Sequence, residues 1–159
     1  MPTLPQLVEE DIQRLDAELR ELLTQTDSTT ALIIDKGGFL ITSQGDTQQF
    51  DLTTIAALGS GAFMANQTIA NLVHETNFSS VYQQGENFSM FVVCVDEHCL
   101  LVVIFRALVS VGVVKYFAAN CVPRIARQMQ IAQERDPAAG LDLSELNVAD
   151  TSDLFKRKS

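Results

Sequence analysis

The sequence predicts an α+β fold in which one five-stranded antiparallel sheet is flanked by helices, in the order α-β-β-α-β-β-β-α. Three observations predict it. Residues 31–45, ALIIDKGGFLITSQG, carry a compact hairpin pattern with a long helical segment on either side. Two near-continuous apolar runs, 88–95 and 99–105, are split only by Asp96-Glu97-His98. A further helical pattern closes the order after the last of these runs.

The first helix is expected over residues 6–25, where Ile12, Leu15, Leu19, Leu22 and Leu23 fall on one stripe. Asp27-Ser28-Thr29-Thr30 ends it. The hairpin strands are 32–34 and 39–42, joined by Asp35-Lys36-Gly37-Gly38, with both glycines expected to supply the positive φ of a tight turn. Asp51 is the expected N-cap of a second helix reaching about residue 76, some ~39 Å in length. Ala57, Gly61 and Ala65 recur there every fourth residue, with Gly59 and Ala62 beside them. Each mid-helix glycine costs roughly 1 kcal/mol relative to alanine, so something should offset it. Close approach of another helix or backbone is one explanation. Small residues acting as spacers between helix and sheet are the other.

Residues 78–84 are short and polar around Val81 and Tyr82 and are expected to form an edge strand. The runs 88–95 and 99–105 are expected as central strands, covered on at least one face. Ser110 can cap a third helix to about residue 135, in which Pro123 should produce a kink near Ala119. Alternatively, Asn120 caps a fresh helix with Pro123 in its first turn. The domain is expected over 1–137, followed by an acidic tail, 138–159, with spaced apolar residues including Leu143, Leu146, Leu154 and Phe155.

Composition bounds the function. The chain has 159 residues, 47% of them apolar, and its eleven basic and twenty acidic residues leave a net charge of −9. That charge disfavours nucleic acid and anionic lipid as partners. The most apolar stretch is interrupted by charge, so no membrane insertion is expected. Three cysteines, Cys94, Cys99 and Cys121, with no export signal ahead of them, fit free thiols in a reducing cytoplasm.

Catalytic motifs are absent. His74 and His98 have no nucleophile or carboxylate at a typical catalytic spacing, and His98-Cys99 lacks a second ligand pair, so no metal site is expected. No phosphate-binding glycine motif occurs, and no cofactor is expected. Asp35, Asp46 and Asp51 read as turn and cap residues rather than a catalytic pair. Cys94 and Cys99 could face each other across the turn between the two central strands, which leaves a redox or small-molecule sensor open.

The DKGG hairpin, the glycine-bearing second helix, the LLVVIF strand and the following Ser110-Val111-Gly112-Val113-Val114 together resemble the roadblock (dynein light chain) family. Within that family they are similar to the bacterial MglB group. The resemblance spans about residues 9–130, with a weaker likeness in the tail. It implies the roadblock/profilin-like fold and a homodimer formed through the third strand and the second helix. The corresponding positions here are Ala57, Gly61, Ala65, Val81 and Tyr82. It also implies a small Ras-like GTPase partner of the MglA type. The dimer would act as a GTPase-activating protein, without an arginine finger, in cell polarity or motility. Activation would come from selecting the competent conformation of the GTPase. Partner-binding residues are expected at Ser60, Met64, Gln67, Thr68 and Asn71, on the exposed side of the second helix, with the tail docking through Leu143, Leu146, Leu154 and Phe155. The sequence departs from the MglB pattern at Phe63-Met64, Thr68 and Pro123. A scaffold of the same fold without GTPase activation is the alternative.

Overall fold

The computed structural model describes residues 4–135. Its elements are α1 (Glu9–Thr26), β1 (Thr30–Asp35), β2 (Leu40–Gly45), α2 (Leu52–Leu72), β3 (Ser80–Gln83), β4 (Phe88–Cys94), β5 (Cys99–Arg106) and α3 (Val111–Glu134). The five strands form one sheet in the order β2-β1-β5-β4-β3, and every neighbouring pair is antiparallel. The predicted order and sheet are therefore observed. The boundary of the acidic tail lies outside the described residues.

Helices cover both faces of the sheet. On one face, Leu15, Leu19 and Leu22 of α1 and Val114, Cys121, Ile125 and Met129 of α3 pack on Ile33, Leu101, Val103 and Phe105. On the other, Leu52, Ala56 and Phe63 of α2 pack on Leu32, Ile34, Leu100, Val102 and Ile104. Neighbouring residues of β5 thus enter opposite clusters, as the period of two requires. This is why the seven residues from Cys99 to Phe105 are all buried and why the strand reads as an unbroken apolar run.

Local chemistry fixes the ends of the elements. The Val8 N–H donates to the Asp11 carboxylate at 2.8 Å at the start of α1, and Asp27 ends the helix in the left-handed region at φ 52°. Asp51 accepts from the Thr54 N–H and caps α2, and the Ser110 hydroxyl accepts from the Gly112 N–H at the start of α3. Asp35 and Asp46 accept backbone N–H bonds in the turns around β2, as expected of them.

Several details differ from the sequence expectation. Only Gly38 in the hairpin turn has a positive φ, 98°; Gly37 does not. A Cβ on Gly38 would lie 3.2 Å from the Ala57 Cα, so the hairpin tip sits directly against α2. α2 stops at Leu72 rather than near residue 76, and His74 follows in the left-handed region at φ 63°. α3 runs through Pro123 as a single helix, which removes the alternative of a fresh start at Asn120.

Candidate functional site

α2 is where the chain looks unfinished. From Leu52 to Val73 its sequence contains no charged residue. The described residues cover only one side of it, where Leu52, Ala56, Gly59, Ser60, Phe63 and Ala70 are buried. The opposite side carries Leu58, 69% exposed, and Leu72, 75% exposed, together with Met64, Ile69 and Val73. An uncharged helix with large apolar side chains on its outer side calls for a second cover there, and the sheet meets the other side.

The small residues divide between these faces. Ala56 and Gly59 are the spacers against the sheet; an added Cβ on Gly59 would lie 3.9 Å from Ile34 Cδ1. Ala57, Gly61 and Ala65 point the other way and are exposed. No atom of the described residues comes within 4 Å of a Cβ built on Gly61. The helix-to-sheet spacer explanation therefore holds for Ala56 and Gly59, and in part for Ala57, which the Gly38 hairpin tip approaches, but not for Gly61, which meets nothing among the described residues. By helical position the Ala57-Gly61-Ala65 stripe lies at the centre of the uncovered face in line with Leu72, with Leu58 and Ile69 along one flank and Met64 along the other.

The residues expected to bind a partner do not share one exposed face. Thr68 and Asn71 are exposed and Met64 is 45% exposed. Ser60 is buried, and its hydroxyl donates to the Lys36 carbonyl at 2.5 Å, tying α2 to the hairpin turn. Gln67 is half-buried, and its amide donates to the Phe78 carbonyl at 2.7 Å. Both belong to the anchoring side of the helix. Phe63, which the sequence suggested as a bulky departure on the exposed side, is a core residue. The Gln67 Oε1 is buried without a hydrogen-bond partner among the described residues. It lies beside a cavity of about 490 Å³ lined by Lys36, Phe63, Met64, Phe78 and Cys94.

β3 continues the uncovered surface. Among the described residues it is an edge strand that pairs only with β4, over Ser80–Gln83. Val81 packs with the α2 cluster and Tyr82 with the other, where its ring stacks on Phe105 at 6.2 Å. The outer backbone groups of such an edge form a template for another strand.

The redox expectation fails on register. Cys94 pairs with Leu100, not with Cys99. Cys94 packs on the α2 side of the sheet and Cys99 is in the α1–α3 core, so the two thiols lie on opposite faces. Burial, followed by the nearby Asp96 carboxylate, pushes the Cys99 thiol far above its ordinary range. Burial, followed by Glu18, pushes Cys121 up to about 12. Both are core thiols rather than nucleophiles. His98 is buried, with its Nε2 3.3 Å from Gln133 Oε1 and 3.3 Å from Glu97. Among the described residues no three potential ligands gather around a metal position.

Sequence reasoning missed a buried polar network between the outer helices. Asp11 is fully buried, and Arg135 donates to both of its oxygens at 2.8 Å. Gln128 donates to Asp11 at 2.7 Å. Burial alone would raise the Asp11 pKa, but the bonds from Arg135, Val8 and Gln128 outweigh it and hold the carboxyl below its usual value. Sequence position gives little sign of this, because Asp11 sits in an acidic first turn that normally faces water.

The Roadblock/LC7 domain family matches residues 15–105, more than half of the chain. The chain belongs to this family. The matched region starts in α1 and ends in β5, so it contains β1 to β4, α2 and all of β5 but Arg106. This roadblock domain is similar to three solved MglB structures. An MglB with tetrameric arrangement shares 29% identity over 83% of this chain and 98% of that one, with a TM-score of 0.76. The gliding protein MglB of Thermus thermophilus shares 29% over 82% and 98%, with a TM-score of 0.74. MglB of Myxococcus xanthus shares 28% over 73% and 94%, with a TM-score of 0.70. No curated protein sequence matches the chain. None of the described helices of this roadblock domain is long and apolar enough to cross a membrane.

Proposed function

We propose that this roadblock domain works as a homodimer that regulates a small Ras-like GTPase of the MglA type in cell polarity or motility. In this reading it accelerates GTP hydrolysis without supplying an arginine. The observation that carries the proposal is the uncharged, half-uncovered α2 beside the unpaired β3 edge. Two such chains could join β3 to β3 and bring the Ala57-Gly61-Ala65 stripes together, burying surface that one chain leaves in water. Similarity to three MglB structures over nearly their whole length supports this reading over an unrelated use of the fold.

The GTPase would then meet the outer rim of the paired helices, where Met64, Thr68 and Asn71 are exposed. Binding the hydrolysis-competent conformation more tightly than the other shifts the population toward it, and no group of this chain need enter the chemistry. The arginines support that mechanism. Arg14, Arg124 and Arg135 are engaged with Glu10, Glu18 and Asp11 on the opposite side of the sheet from α2. The test is a single-turnover GTP hydrolysis assay of the cognate Ras-like GTPase with and without this protein. Stimulation that saturates with the dimer supports the proposal. Unchanged hydrolysis alongside measurable binding leaves the scaffold reading.

A further inference from the structure

We propose that the groove between α1 and α3 binds the chain's own segment 141–146, Leu-Asp-Leu-Ser-Glu-Leu. The groove is a cavity of about 320 Å³ on the side of the sheet opposite α2, lined by Arg14, Ala17, Glu18, Arg124, Arg127 and Ile131. Three cations and one anion make it locally positive on a chain whose net charge is −9. Arg14 and Arg124 already pair with Glu10 and Glu18. Arg127 is exposed and makes no ion pair among the described residues, and Ile131 one turn away is 44% exposed. A free guanidinium beside an exposed aliphatic side chain suits a ligand that alternates acid and aliphatic groups.

The chain supplies such a ligand from the right place. Arg135, the last described residue, is bound to the buried Asp11, so the root of the tail is fixed over the α1–α3 seam. Arg135 has left the helix at φ −57° and ψ 139°. The next residues, Asp136-Pro137-Ala138-Ala139-Gly140, are poor at continuing a helix. Arg127 lies eight residues back along α3, about 12 Å away at the helical rise. Six residues from Arg135 to Leu141 can span up to about 20 Å, which is enough to turn back over the groove. Leu141, Leu143 and Leu146 would cover Ala17 and Ile131, Glu145 would meet Arg127, and Asp142 would meet Arg14. Because the segment is tethered beside its site, a weak contact is enough to keep it there. The inference gives Leu143 and Leu146 a different site from the GTPase docking that the family resemblance implies for them, and it does not depend on α2 or the β3 edge.

Amide hydrogen exchange on the full chain tests it. Residues 141–146 should exchange at least tenfold more slowly than the same sequence in a free peptide. The slowing should be unchanged across a tenfold range of protein concentration. Arg127→Glu, at an exposed position, should abolish it without moving the thermal midpoint by more than a degree or two. Glu145→Arg added to Arg127→Glu should restore it. Exchange at free-peptide rates in the full chain would overturn the proposal. So would protection that survives Arg127→Glu, protection that grows with protein concentration because a second copy supplies the groove, or protection that appears only once a Ras-like GTPase is added.

Discussion

At the scale of single residues, Asp11 shows how much of this fold rests on one buried charge. It is satisfied by both Arg135 nitrogens, by Gln128 and by the Val8 N–H. Its carboxyl is held below the usual carboxylate value of about 3.9. In the unfolded chain the pKa returns to that value, so near pH 4 the unfolded state binds more protons than the folded one. Stability from Asp11 is therefore fully present above about pH 4 and is lost as pH falls through the lower folded pKa. Asp11→Asn should cost about 1.5–3 kcal/mol at pH 7, the range for hydrogen bonds to a charged group. It should also flatten the loss of stability below pH 4, which urea unfolding from pH 7 down to pH 2.5 would reveal. A second prediction concerns Arg106. Its side chain is exposed at the end of β5, beside a cavity shared with Gln49, Phe88 and Leu108. An arginine finger is worth 10³–10⁵ in rate. Arg106→Ala should lower stimulated hydrolysis by far less than a thousandfold at saturating protein. A fall of that size would mean the chain supplies a catalytic cation after all.

At the scale of elements, α2 shows two uses of small residues in one helix. Gly59 lets the helix sit on Ile34, whereas Gly61 faces outward with no described atom near its Cβ position. Gly61→Ala should stabilise an isolated chain by up to about 1 kcal/mol through helix propensity alone. Gly61→Leu should also leave the single chain folded, yet weaken self-association at least tenfold, because overpacking a close helix contact costs roughly 1–3 kcal/mol. Sedimentation of the two variants across a concentration series measures both effects. If Gly61→Leu associates as well as the unaltered protein, the stripe is ordinary surface. α3 gives a complementary lesson. Pro123 is exposed and does not end the helix, which continues to Glu134 and delivers Gln128 into the Asp11 network. Packing of Cys121, Ile125 and Met129 into the core holds the helix on both sides of the missing backbone bond.

At the scale of the whole molecule, the described residues form a sheet covered on one face by α1 and α3 and on the other by α2 alone, and the outer side of α2 carries exposed apolar residues. Sedimentation equilibrium at low micromolar concentration should give twice the 17.5 kDa chain mass, and a clean monomer would remove the dimer from the proposal. Much of this architecture was legible in the sequence. The fold order, the antiparallel hairpin, the Asp51 and Ser110 caps and the edge position of β3 all follow from local signals, namely periodicity, turn residues and capping side chains, whose physics acts within a few residues. The candidate site was only half legible. A spacing of three and four residues placed Ser60, Gln67, Met64 and Thr68 together, but it could not say which side of the arc meets the sheet. Two hydrogen bonds decided that, from Ser60 to the Lys36 carbonyl and from Gln67 to the Phe78 carbonyl. Strand register decided that Cys94 and Cys99 lie on opposite faces, because an offset of one residue across a hairpin reverses the side. Sequence by itself determined which segments become helix or strand. Tertiary structure alone decided which face of α2 stays uncovered and which acid is buried, because both depend on contacts between residues far apart in the chain.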